Sequence, residues 1–257
     1  MDSIQAVPYP ILVGAVFCFG LAVGSFANVC IHRLPRKESV VFPRSHCPAC
    51  YSAVRPLDNI PLISYMALGG KCRDCAIPIS LIYPTIEALT GILMLAGLLK
   101  FGTSSEFFVY AVVATSLVII TAIDIEHQII PDVITLPGIA FGLIIGIYTI
   151  GFKDSLFGLF LGSGLFYLLA ILSNGGMGGG DIKFIAAVGA LLGWQKVLLV
   201  IFIGAFLGSI VGLFLITIQK KSRKSTIPFG PFLAVGTLIT LFYGNSLIRV
   251  YLEYFRG

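Results

Sequence analysis

The sequence predicts an all-α membrane protein of about eight transmembrane helices with one small polar insert, and three observations carry that prediction. Hydrophobic residues make up 57% of the 257 positions and charged residues only 11%, where a soluble domain carries about 25% charged. Mean hydropathy is +0.99. The apolar residues fall in runs close to the roughly 20 needed to cross a hydrocarbon core. They lack the period-two alternation of strands, whose open edges could not face lipid. A globular fold of this size would still need a charged shell, so a soluble domain is excluded.

The first span is expected near 10–32. The chain opens MDSIQAVPYP, with an acid and no basic n-region, and no A-x-A-type site follows the first apolar run. That run therefore reads as a retained span rather than a cleaved signal. Cys18 and Cys30 lie within it and read as small hydrophobes. A loop-rich polar insert over about 33–80 comes next, then spans near 81–100, 106–123, 133–151, 155–173, 182–194, 197–218 and 229–250. The sixth is short for a full crossing. The expected division is a first span at 1–32, the insert at 33–80 and a membrane domain at 81–257. No internal repeat or low-complexity tract stands out.

Orientation follows the basic residues. With eight spans, the odd-numbered loops share one side. They collect 12 basic residues: Arg33, Arg36, Lys37, Arg44, Arg55, Lys71, Arg73, Lys183, Lys220, Lys221, Arg223 and Lys224. The other side has 5, Lys100, Lys153, Lys196, Arg249 and Arg256. The insert and the 220–224 cluster are thus expected in the cytoplasm. The net charge of +5 is spread around apolar spans and forms no single groove, which excludes nucleic acid as a partner.

Among twelve acids, two sit where they are costly. Asp124 closes the run VIITAIDIEHQIIPD and Asp181 follows NGGMGGG, so both fall at the cytoplasmic edge of a span. An ionisable group there is a functional candidate. The glycines at 175, 176, 178, 179 and 180 allow unusual backbone conformations and close approach of a second chain, as an extended substrate needs. Two neighbouring carboxylates share a proton. One can then activate water while the other polarises a carbonyl, which predicts an aspartic protease. The three histidines, His32, His46 and His127, have no G-x-S-x-G partner for a serine mechanism. Two other readings stay open on these residues: Asp181 as a helix N-cap, and an ion-coupled transporter with intramembrane acids. Asp132, after Pro131, reads as the cap of the fourth span, and Glu126 and His127 as members of a solvated turn.

Cys47-Pro-Ala-Cys50 and Cys72-Arg-Asp-Cys75 stand 21 residues apart. Two C-x-x-C pairs at about this spacing predict a structural zinc site of zinc-ribbon type, one ion per chain. A reducing cytoplasm disfavours disulfides, and a metal would stabilise an insert poor in large apolar residues. The alternative is a redox thiol pair, for which one C-x-x-C suffices.

Five motifs in order then resemble one family: GSFANVCIHRLP (24–35), the cysteine-bounded stretch 47–75, DIEHQIIPDVITLPG (124–138), GMGGGDIKFIAAVGALLGW (176–194) and TIPFGPFLAVG (226–236). Together they resemble the type IV prepilin peptidases, or leader peptidase/N-methyltransferases, which are GxGD-type membrane aspartic proteases. The resemblance implies a bifunctional enzyme of the bacterial inner membrane. It cleaves the leaders of type IV prepilins and type II secretion pseudopilins at the cytoplasmic face, then N-methylates the new terminus with S-adenosylmethionine. It implies catalytic roles for Asp124 and Asp181, with Gly178 and Gly180 as the motif glycines and Asp132 as a neighbour. It also places methyl transfer with the insert, through Gly70; Glu87 is a further candidate that reads equally as a buried acid paired locally. No G-x-G-x-x-G follows a strand, so a Rossmann site is not available for that cofactor. Ile82 stands where relatives often carry a basic residue before Tyr-Pro. A GxGD intramembrane peptidase without methyl transfer is the alternative, although presenilin-type enzymes lack the cysteine ribbon. A transporter would instead place its acids near mid-bilayer.

Overall fold

The computed structural model describes residues 8–173, 176–217 and 227–256. Residues 1–7, Gly175, Thr226, the basic cluster from Lys220 to Lys224 and the Arg256 side chain lie outside the described residues. The described elements are α1 Tyr9–Arg33, a 3₁₀ turn Pro56–Asn59, α2 Ile63–Ala67, α3 Ile82–Phe101, α4 Ser105–His127, α5 Asp132–Thr149, α6 Phe152–Leu172, α7 Gly179–Leu192, α8 Trp194–Thr217 and α9 Gly230–Arg256. Among the described residues there is no strand, only two isolated β-bridges. The predicted all-helical membrane class is therefore what the chain adopts.

Seven helices (α1, α3, α4, α5, α6, α8 and α9) are long and apolar enough to cross a membrane. The sixth expected span, 182–194, is the exception. α7 has 14 residues, about 21 Å at helical rise, short of a core of about 30 Å. The physical reason is visible in its burial. From Phe184 to Leu192 only Ala187 is not buried, so α7 packs on protein and has little lipid to match.

The chain divides into two compact units, Met1–Ile119 and Ile120–Gly257, with the division inside α4. In the first, α1 lies against α3 through small residues. A Cβ at Gly20 would stand 2.8 Å from Gly91 Cα, and one at Gly24 2.7 Å from Glu87 Cα. Close backbone approach of this kind substitutes for the hydrophobic drive that helices in lipid lack. Met94, Leu98 and Phe107 form the apolar centre of this unit.

In the second unit α7 is the hub. Gly142 of α5 packs on Ala187 O at 2.7 Å from its would-be Cβ, and Gly162 of α6 meets Ile185 O at 3.2 Å. The buried Ser155 hydroxyl donates to Ala190 O at 2.7 Å. On the other flank, a Cβ at Gly236 of α9 would stand 2.8 Å from Val200 O of α8. These approaches hold α7, and Asp181 with it, against α5 and α6, and hold α9 against α8.

Candidate active site and candidate metal centre

Asp124 is the fourth residue from the end of α4. It is 5% exposed, next to the fully buried Ile123. A carboxylate in such surroundings needs hydrogen bonds. Asp124 Oδ2 accepts the backbone N–H of Gly230 at 2.9 Å, across 106 positions of sequence. Gly230 opens α9, so its N–H is one of the donors that a helix leaves unpaired at its start, and the helix end favours negative charge there. Pro231 follows and offers no N–H of its own. A Cβ at position 230 would stand 2.7 Å from Asp124 Oδ2, so only glycine admits the carboxylate.

Asp181 is the third residue of α7, after the N-cap Gly178. An ideal Cβ at Gly178 would lie 3.2 Å from Asp181 Oδ2, while Oδ1 is buried with no hydrogen-bond partner. Asp181 is therefore not the N-cap. The two carboxylates are close enough for their charges to act on one another. Ile130 packs against both the start of α7, which carries Asp181, and the start of α9, which holds Asp124. A Cβ at Gly180 would be 2.9 Å from Ile130 Cβ, and one at Gly230 3.3 Å from Ile130 Cδ1. The glycines before Asp181 thus serve close approach: Gly178 has a φ of −70°, and none of Gly176, Gly178, Gly179 and Gly180 takes a positive φ.

Three neighbours differ from expectation. Asp132 does not cap the fourth span. Pro131 occupies the cap position, with extended ψ 133°, and Asp132 is already helical, whereas a cap residue must not be. Its two oxygens instead accept from Lys183 Nζ at 2.7 Å each. Glu126 and His127 belong to the last turn of α4, which ends at Gln128 with φ 54°.

In the insert, the two cysteine pairs form one structure twice, 25 positions apart, a repetition the sequence did not reveal. Cys47 N–H donates to Ser52 O and Tyr51 N–H to Cys47 O; Cys72 N–H donates to Ile77 O and Ala76 N–H to Cys72 O. His46 bridges Ala53, and Lys71 bridges Pro78. Tyr51 and Ala76 both take positive φ, 59° and 58°. The four Sγ atoms lie within 4.8 Å of one another, with Cys47 and Cys75 3.8 Å apart. A tetrahedron with metal–sulfur bonds of about 2.3 Å has edges of about 3.8 Å, so the cluster fits a metal ion. Arg73 clamps the second turn to the 3₁₀ turn through Asp58, at 2.8 Å from Nε and 2.5 Å from the terminal nitrogen. That guanidinium holds the Asp58 carboxyl below the usual aspartate range.

Gly70 and Glu87 are both engaged locally. Gly70 has φ 69°, donates to Tyr65 O and accepts from Ile79 N; a Cβ there would strike the Tyr65 hydroxyl at 2.9 Å. Glu87, 9% exposed, accepts the Leu62 N–H at 2.9 Å. Neither presents an unused backbone group or an open carboxylate to a cofactor. Ile82 is the exposed first residue of α3. Gly230 lies in the motif TIPFGPFLAVG, whose resemblance implies no role for it. The signal for it was the Gly-Pro step opening an apolar run, a helix start with one donor to give.

Two family profiles match the chain: the bacterial peptidase A24 N-terminal domain over residues 18–101 and the type IV leader peptidase family over 111–213. The chain is 35% identical to a prepilin leader peptidase/N-methyltransferase of Pseudomonas aeruginosa, covering 91% of each. It is 35% identical to one of Aeromonas hydrophila over 93% of each, and 32% identical to one of Bacillus subtilis over 94% of this chain and 98% of the relative. No solved structure matches at a significant level. With motifs, helices and relatives in agreement over nearly its whole length, the chain belongs to the type IV leader peptidase family.

Proposed function

We propose that Asp124 and Asp181 are the catalytic pair of a prepilin and pseudopilin leader peptidase. The carrying observation is the pairing of one carboxylate held by the Gly230 N–H with a second whose Oδ1 has no partner. Asp124, oriented from the start of α9, takes a proton from water as the water oxygen attacks the scissile carbonyl carbon. Asp181 gives the shared proton to the carbonyl oxygen. The diol then collapses, the C–N bond breaks, Asp124 returns its proton to the leaving amine and Asp181 regains one from the diol hydroxyl. No covalent intermediate forms. Both acids lie at helix ends, which favours a peptidase over an ion-coupled transporter.

The same chain N-methylates the new terminus. S-adenosylmethionine, when bound, supplies the methyl group. Because Gly70 and Glu87 are engaged locally, their part in this half is to set the shape of the insert: Gly70 lets the chain turn under Tyr65, and Glu87 ties Leu62 to α3. The four cysteines hold one structural zinc, and four thiolates leave no open position for catalysis. The excess of basic residues in the insert orients it, and the dyad, toward the cytoplasm of a bacterial inner membrane.

The test is leader release from a purified prepilin in detergent. Asp124→Asn and Asp181→Asn each lower the rate by about 10³-fold or more. Wild-type trimming by either variant would end the dyad assignment.

A further inference from the structure

At the end of α1 a buried cation faces a cavity. Arg33 is the last residue of α1 and is 6% exposed. Its guanidinium donates to Ser39 O at 2.7 Å and to Pro43 O at 2.6 Å. These carbonyls position the group but do not neutralise it. Neither Arg33 nor Arg44 forms an ion pair among the described residues. A buried charge is ordinarily paired. Both arginines line a cavity of about 370 Å³, whose walls include Val29, Val40, Val41 and Val54.

The lining holds no acid. That decides the sign of the occupant. A sulfonium cofactor that also bears an ammonium would bring two cations against two guanidiniums, so this is a poor site for the methyl donor. An anion with a planar or tetrahedral oxygen face suits the arginine fork. The valines ask for an apolar continuation, and the site's depth supplies one. Val29 lies one turn inside α1, a helix apolar enough to span the bilayer, and Val41 in the lining is 67% exposed. Basic pockets at the cytoplasmic ends of spans take lipid headgroups.

We propose that this cavity binds the phosphate of an anionic phospholipid, with Arg33 and Arg44 on the phosphate and the valines along the glycerol and first methylenes. The lipid would neutralise Arg33 and fasten the insert to the leaflet from which α1 emerges. This site is separate from the dyad and does not depend on its assignment.

The full chain is exchanged into micelles with equal phosphatidylglycerol and phosphatidylcholine, and retained lipid is counted by native mass spectrometry. Phosphatidylglycerol should be retained preferentially. Arg44→Gln should lower its retention about five-fold and Arg33→Gln with Arg44→Gln about 30-fold, from about 1 kcal/mol per basic residue. Val54→Trp, which fills the cavity without altering charge, should also release it. Zinc content reports that each variant is folded; if the Arg33 variant loses zinc, Arg44→Gln and Val54→Trp decide the matter. Equal retention of the two lipids would overturn the proposal, as would unchanged retention in both of those variants. Displacement of the lipid by inorganic phosphate would make it a free-anion site. Displacement by S-adenosylmethionine would make it a cofactor pocket.

Discussion

The cysteine insert and the aspartate pair are both two-part sites, but they are assembled by opposite means. The insert builds its cluster locally, repeating one hydrogen-bonded turn 25 positions apart within the segment from Cys47 to Cys75. The aspartates come from the end of α4 and the start of α7, and the donor to Asp124 comes from α9, 106 positions away. Close packing through glycines, not local geometry, brings those three helix ends together. A local site depends on its ligands and on the ion. A site made by packing depends on residues that carry no chemistry themselves.

The largest effect that separates the two is loss of the metal. Cys47→Ser removes one of four thiolates, and zinc is expected to fall from about one per chain to none by elemental analysis, because binding and folding of such a unit are one event. Full zinc retention would break the ribbon reading. Next is Gly230→Ala. Loss of a hydrogen bond to a charged group costs about 1.5–3 kcal/mol, which is about 10–150-fold in rate, and the added Cβ meets Asp124 Oδ2 at 2.7 Å. Leader cleavage should fall in kcat with KM little changed and zinc intact. A variant as fast as the parent would remove α9 from the site.

How much could be read in advance follows the same contrast. The C-x-x-C pairs announced their site because ligand and turn are adjacent in sequence. Asp124 and Asp181 were legible as acids at the ends of apolar runs, but their pairing needs the tertiary packing of α5, α6 and α7, which periodicity does not encode. The shortness of α7 is legible in its apolar run, but its burial is not, because hydropathy cannot separate a helix buried in protein from one facing lipid. Asp132 was read as a cap from its Pro131 neighbour, yet that proline takes the cap position and leaves the carboxylate to Lys183. Gly230 shows in the sequence only as a Gly-Pro step that opens a helix, and the acceptor its N–H meets is set by tertiary packing.

Smaller effects sharpen the distinction. Asp132→Asn breaks a solvent-exposed pair worth about 0–1 kcal/mol, so cleavage should stay within about five-fold of the parent; a loss as large as for the dyad would make Asp132 part of the chemistry. The smallest effect is in the insert. Arg73→Gln should return the Asp58 carboxyl, followed by NMR, toward the ordinary aspartate value. Because its folded value lies below the unfolded one, the stabilisation from Asp58 is present above the ordinary range and is lost as pH falls through the folded value. An unmoved Asp58 would remove the Arg73 clamp from the account.

The central claim is that cleavage belongs to the aspartate pair and methyl transfer to the insert. It is tested by giving Asp124→Asn and Asp181→Asn a pilin peptide already trimmed of its leader, with labelled methyl donor. Methyl transfer at close to the parental rate is expected from variants that no longer release a leader. Loss of both activities in variants that keep their zinc would contradict it.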